Sequence, residues 1–183
     1  MHPPPPQVFL LVDGYNVIGS WSELKRTRDR HGLEAARQEL IETLINYSAF
    51  RDYHTQVVFD AYYQKTQIHH EVFTTHLLAC YTEFGQTADS YIEKFCASFR
   101  HKIERPKQRL IVATSDRAQQ LTIMGYGAEW MSSQQLASDV IFTTHRVRRR
   151  HRPSKQSRGR FLVNSLDAKA QQRLAEWRKG GMK

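Results

Sequence analysis

Leu10-Leu11-Val12-Asp13-Gly14-Tyr15-Asn16-Val17-Ile18 is the stretch on which the fold turns: an apolar run ends on a carboxylate, a glycine breaks it, and an asparagine follows three residues after the acid. A parallel strand buried on both faces reads as a continuous apolar run, and open α/β sheets place their chemistry beyond the carboxyl ends of such strands. Three more acids stand at comparable breaks. Asp60 ends Gln56-Val57-Val58-Phe59, Asp89 follows Gly85-Gln86-Thr87-Ala88, and Asp116 follows Leu110-Ile111-Val112-Ala113-Thr114-Ser115. Four acids brought to one sheet edge point to a divalent-metal site.

Outward from that stretch, strands and helices alternate. Residues 8–12, 56–59, 77–82 and 110–114 read as strands, with a short fifth strand at 128–131. Between the first two lie a polar, Arg-rich connection (19–32) and an amphipathic helix over 33–50, whose Ala36, Leu40, Ile41, Leu44, Ile45 and Tyr47 recur at helical spacing. Residues 61–76 are ambiguous, and His69-His70 reads as a solvated loop pair. Thr87 is placed to cap a helix with Ile92, Phe95, Cys96, Phe99 and Ile103 on its apolar face. A short helix follows Asp116, and Ser132 or Ser133 caps another that runs into His145-Arg146-Val147-Arg148-Arg149-Arg150. Ser165 opens a last helix bearing Leu166, Ala170, Leu174 and Trp177. This order predicts an α/β fold, a mainly parallel sheet with helices on both faces.

With 183 residues, 40% of them hydrophobic, the chain is long enough for one compact domain with an appendage. We expect a Pro-rich leader (1–7), a domain (8–144), and a basic arm with a C-terminal helix (145–183). Charge is unevenly spread: residues 145–160 hold seven Arg and one Lys with no acid, whereas residues 1–144 sum to −2 of the formal +9. Such an arm expects a polyanionic partner. Cys80 and Cys96 lie in apolar settings and read as buried thiols of a reducing compartment. The N-terminus lacks the basic and apolar regions of a signal peptide, and no apolar run approaches the roughly 20 residues a bilayer span needs. The expected setting is therefore intracellular and away from membranes.

Hard oxygen donors without Cys or His at ligand spacing suit Mg²⁺ or Mn²⁺ rather than Zn²⁺. Such an ion acidifies a bound water and neutralises a phosphate during in-line displacement. Glu93 shares a helix face with Asp89, and Asn16, Thr114 and Ser115 stand where they could orient the carboxylates. The rival reading is that each Asp merely caps a helix or ends a strand, most simply at Asp60. There is no GxxxxGK[ST] and no GxGxxG, so nucleotide-binding readings lose support. An aspartyl-phosphatase reading wants a second Asp two residues after the first, and Tyr15 stands there.

Asp13-Gly14-Tyr15-Asn16, Thr87-Ala88-Asp89 and Ala113-Thr114-Ser115-Asp116, with Val57-Val58-Phe59-Asp60-Ala61, Ile92-Glu93-Lys94 and Gly125-Tyr126-Gly127-Ala128, together resemble the YacP-like NYN domains of the PIN-like nuclease superfamily. The resemblance spans most of the chain, to Trp177-Arg178-Lys179-Gly180. It implies a PIN-like three-layer sandwich and metal-dependent endoribonuclease activity on mRNA engaged with the ribosome, in the cytoplasm or, in a photosynthetic eukaryote, the plastid stroma. Carried over by motif, Asp13, Asp89 and Asp116 form the acidic, metal-holding site with Asn16 supporting Asp13. Asp60, Glu93, Thr114 and Ser115 stand behind them. One departure is Ser90, where an acid is expected after Thr87-Ala88-Asp89; it thins the negative charge.

In the arm, Arg146, Arg148, Arg149, Arg150, Arg152, Lys155, Arg158 and Arg160 are the expected RNA contacts, since guanidinium groups bind phosphate bidentately and stack on bases. A solvated charge run is the alternative, and Lys25, Arg26, Arg28 and Arg30 then offer another RNA path. Val147 alone is too little apolar anchor for a membrane surface. Tyr15, Trp21, Tyr62 and Tyr63 are the aromatic candidates for base stacking. Two other functions fit the same sequence: a non-catalytic RNA-binding or ribosome-associated module of this fold, and a stand-alone toxin of the PIN type.

Overall fold

The computed structural model describes residues 6–60, 68–101 and 108–151. Its centre is β1 (Gln7–Asp13), the apolar run that ends on Asp13. Around it a six-stranded sheet forms in the order β3-β4-β2-β1-β5-β6. The partners are β2 (Tyr53–Phe59), β3 (His69–Thr74), β4 (Leu77–Tyr81), β5 (Gln108–Ala113) and β6 (Glu129–Met131). All neighbouring pairs run parallel except β3, which is antiparallel to β4.

Because side chains alternate along a strand, β1 feeds two cores at once. Leu10 and Val12 join Val57, Phe59 and Ile111 on one face, beneath Val17 and Ile18 of α1 (Gly14–Ser20), Leu24 of α2 (Ser22–His31), Leu40 and Leu44 of α3 (Leu33–Arg51), and Leu136 of α6 (Ser133–His151). Leu11 joins Val58, Leu110 and Val112 on the other, beneath Ile92 and Cys96 of α4 (Ala88–His101) and Ile123 of α5 (Arg117–Gly125). The result is a three-layer α/β sandwich.

The topology locates the crevice. From β1 the chain builds β2 and β4 on one side, then returns to place β5 on the other. Right-handed crossovers in opposite directions put their helices on opposite faces, so the space beyond the carboxyl ends of β1 and β5 is left uncovered. Asp13 closes β1 at that point. On the far side, α6 is fastened to α3. Tyr47 Oη donates to Asp139 Oδ2 over 2.7 Å, and Arg51 pairs with the same carboxylate. Burial would raise the pKa of Asp139, but these two donors outweigh it and hold it low.

Several expectations are corrected. Residues 19–32 are not a connection; they hold the end of α1 and the whole of α2, joined to α3 at Gly32, whose φ of 89° a side chain would resist. Helix α2 buries only Leu24, so its sequence carries no apolar period to announce it. His69 and His70 lie not in a loop but in β3, an exposed edge strand. Ser132 is the residue whose hydroxyl caps α6, accepting from Gln135 N at 3.1 Å. Thr87 caps α4 as expected, accepting from Ser90 N at 3.2 Å. Both cysteines are buried and free.

Two compact units divide the chain, Met1–Val147 and Arg148–Lys183. Most of the leader, Tyr62 and Tyr63, Arg152, Lys155, Arg158, Arg160 and the helix expected from Ser165 lie outside the described residues. Among the described residues no helix is long and apolar enough to cross a membrane.

Candidate active site

Asp13 continues the Phe9–Leu11 side of the β1 pleat, the face covered by α4 and α5. Its carboxylate caps α1: Oδ1 accepts from Asn16 N at 3.1 Å, and the side chain is buried. The glycine behind it answers a packing demand. A Cβ on Gly14 would lie 2.2 Å from Phe59 Cε1, so only glycine lets α1 start directly against the β2 ring.

Asp89 stands in the first turn of α4, and Asp116 caps α5, accepting from Ala118 N at 2.7 Å and Gln119 N at 3.0 Å. Between them lies Gln119, buried, whose Nε2 donates to Asp89 Oδ1 at 2.6 Å while its Oε1 has no partner among the described residues. Asp60 accepts from Ala88 N and so ties the end of β2 to the start of α4. The capping alternative for Asp60 thus holds in part, through the first N–H of α4.

Asn16 supports Asp13 through its backbone N–H; its side chain has another task. Oδ1 accepts from Ser115 N at 2.8 Å and from Ser133 Oγ at 3.0 Å, which joins α1, the loop after β5 and α6. Trp21 Nε1 donates to Ser133 O at 2.7 Å and clamps the same corner. Thr114 Oγ1 accepts from Asp116 N at 3.1 Å, and Ser115 Oγ donates to Gln134 Oε1 at 3.3 Å. Thr114 and Ser115 therefore shape the loop that presents Asp116.

The acids sense one another. Burial first, then the charges of Asp89, Asp60 and Asp116, push Asp13 up to about 6 against the opposing hydrogen bond from Asn16. Burial, then Asp116, Asp60 and Glu93, raise Asp89. Among the described residues none of Asp13, Asp60, Asp89 and Asp116 has an ion-pair partner. Each of Asp13, Asp89 and Asp116 commits Oδ1 to a hydrogen bond and leaves Oδ2 without one among the described residues. Uncompensated negative charge on hard oxygen donors fits a divalent cation. With the side chains as they stand, the described residues contain no group of three Asp, Glu, His or Cys disposed to hold a metal.

Sequence reading missed Gln119 and Ser133. Asp116 and Gln119 have capping-box spacing, in which Gln119 would reach back to the cap backbone; instead it reaches across to Asp89. Ser133 was legible only as a helix cap, whereas it is fully buried and bound to Asn16. Tyr15 packs on Phe59 at 5.3 Å between ring centres, and its hydroxyl accepts from Arg37 Nη1 at 3.2 Å. Of the arm's expected contacts, Arg146 and Arg149 are exposed on α6.

A mostly parallel sheet whose acids gather at the switch point, two of them capping the helices that flank it, defines a PIN-like nuclease fold. The chain belongs to the YacP-like NYN domain family, which matches residues 10–179. It is 32% identical over 179 residues to the uncharacterized protein YacP of Bacillus subtilis (strain 168), covering 94% of this chain and 98% of that one. The crystal structure of Rae1 (YacP) from Bacillus subtilis is similar with a TM-score of 0.65 and 30% identity, covering 94% of this chain and 95% of that one. A single-residue variant of Rae1 gives a TM-score of 0.66 at 28% identity, with 92% and 98% covered.

Proposed function

We propose that this protein is a metal-dependent endoribonuclease that hydrolyses mRNA, acting in the cytoplasm on message engaged with the ribosome. The observation that carries the reading is the set of mutually repelling acids at the β1/β5 crevice, without ion-pair partners among the described residues, with Asp13 raised to about 6. Carboxylates held close against their own repulsion on a buried edge destabilise the fold, a pattern expected where function needs them. Asp13, Asp89 and Asp116 would hold Mg²⁺ or Mn²⁺, which when bound supplies an acidified water and charge neutralisation at the phosphate.

The chain's own residues do the positioning. Gln119 fixes the rotamer of Asp89, the Ala118 and Gln119 backbone N–H groups fix Asp116, and Asn16 locks the loops on which the acids stand. In hydrolysis water attacks phosphorus, the bond to one ester oxygen breaks, and that oxygen leaves with a proton. The ribosomal part of the proposal rests on the family resemblance and on the eight bases of residues 145–160.

The test is cleavage of RNA with Mg²⁺ or Mn²⁺, with and without chelator, on free and on translating message. Asp89→Asn keeps the shape and removes the charge. We expect its rate to fall by more than the roughly 10–100-fold typical for a residue that only orients a ligand. Gln119→Ala, which only orients, should fall within that range. Chelator-insensitive cleavage, or wild-type rates in Asp89→Asn, would overturn the acidic metal site, and no cleavage at all would favour the non-catalytic RNA-binding module.

A further inference from the structure

Beside the acidic site, β6 and α6 border a groove of about 610 Å³ lined by Trp130, Met131, Gln134, Gln135, Ser138, Asp139 and Phe142. It begins at the site itself, because Gln134 accepts from Ser115 Oγ, the residue before Asp116. Trp130 is anchored by its edge, Nε1 donating to Thr114 O at 2.9 Å, and remains 37% exposed. Phe142 is 57% exposed, and the Arg146 guanidinium lies 5.6 Å from its ring centre.

We propose that this groove, resting on the nuclease reading above, is a stacking channel for single-stranded RNA, with Trp130 and Phe142 as base platforms and Arg146 as the cation beside them. Gln134, Ser138, Phe142 and Arg146 recur every fourth residue, so they form one stripe about 18 Å long from first to last. That length accommodates a few unstacked nucleotides. Aromatic faces take any base, amide and hydroxyl groups meet base edges, and guanidinium meets phosphate. Asp116, at the mouth of the groove, is an acid the proposed metal would neutralise, and the acids along the groove are paired. Asp139 is paired with Arg51, and Glu129 accepts from Arg109 Nε and Nη2 at 2.7 and 2.6 Å. A protein partner would be expected to meet a continuous apolar centre inside a polar rim; here the two rings are interleaved with amides, a hydroxyl, the paired Asp139 and a cation.

The experiment measures binding of a short fluorescent oligoadenylate to the full chain carrying Asp89→Asn, in chelator, so that cleavage does not enter. We expect Phe142→Ala to weaken binding by about 5- to 100-fold, the loss of one base stack, without changing the salt slope, while Phe142→Tyr keeps wild-type affinity. Arg146→Gln should weaken binding and flatten the slope. Duplex RNA of the same length should bind both Phe142 variants alike. Circular dichroism confirms that the surface variants fold. Unchanged affinity in Phe142→Ala, equal loss in Phe142→Tyr, or no oligoadenylate binding by the parent overturns the channel. So does self-association of the parent that Phe142→Ala abolishes, which assigns the patch to a second copy. If wild type never cleaves RNA, the nuclease reading fails while this comparison still stands.

Discussion

Asp13 is the residue at which stability and the proposed function conflict. Its carboxyl ionises near 3.8 when unfolded and at about 6 in the fold, so between those values the native state binds more protons than the unfolded one. Native stability is therefore undiminished below pH 3.8, is lost as pH rises through 6, and stays reduced above, by on the order of 3 kcal/mol. Asparagine caps a helix as well as aspartate does. Asp13→Asn should accordingly raise Tm at pH 7.5 in chelator, and the advantage should vanish below pH 4. Mg²⁺ or Mn²⁺ should stabilise wild type at pH 7.5 and not the variant, by linkage to binding. Matching melting curves for the two proteins across this pH range would remove the electrostatic penalty from the account. At this scale the acids were legible because strand-then-acid breaks repeat along the chain. Gln119 was not, because nothing local says that a helix-start glutamine will span to another helix.

At the scale of elements, the start of α1 depends on one close approach. The Phe59 ring is fully buried and held between neighbours, Tyr15 at 5.3 Å and Tyr81 at 5.7 Å, so it has little room to yield to a methyl group on Gly14. Gly14→Ala should destabilise by about 1–3 kcal/mol, the usual cost of overpacking, and lower cleavage by displacing Asp13. Phe59→Leu added to Gly14→Ala should recover part of that loss in chemical denaturation. Damage that simply adds in the double variant would place the strain elsewhere. The strands of the sheet centre were readable because burial on both faces writes them as apolar runs. Helix α2 and edge strand β3 were not, since one buries a single leucine and the other leaves Val72 71% exposed. Elements with little to bury leave little pattern, and their structure comes from the neighbours they pack against.

Across the whole molecule, charge is divided between a basic arm and a near-neutral domain. Residues 145–160 carry eight bases and no acid, while residues 1–144 sum to −2 and bring Asp13, Asp60, Asp89 and Asp116 to the β1/β5 crevice. A polyanion approaching an acidic crevice is repelled unless cations elsewhere hold it, so affinity should reside mainly in the arm. Neutralising Arg148, Arg149, Arg150 and Arg152 together should weaken RNA or ribosome binding and flatten its salt dependence, each lost phosphate contact reducing the log–log slope by roughly 0.7–0.9. Metal-dependent stabilisation of the fold should persist in this variant, because no arm residue is among the acids that repel one another. Salt titrations of the wild type and the fourfold variant decide the matter. Parallel slopes would make the arm a solvated charge run and move the RNA path to Lys25, Arg26, Arg28 and Arg30 on and around the exposed face of α2, where Arg26 and Arg30 line a second groove with Glu23 and Glu39.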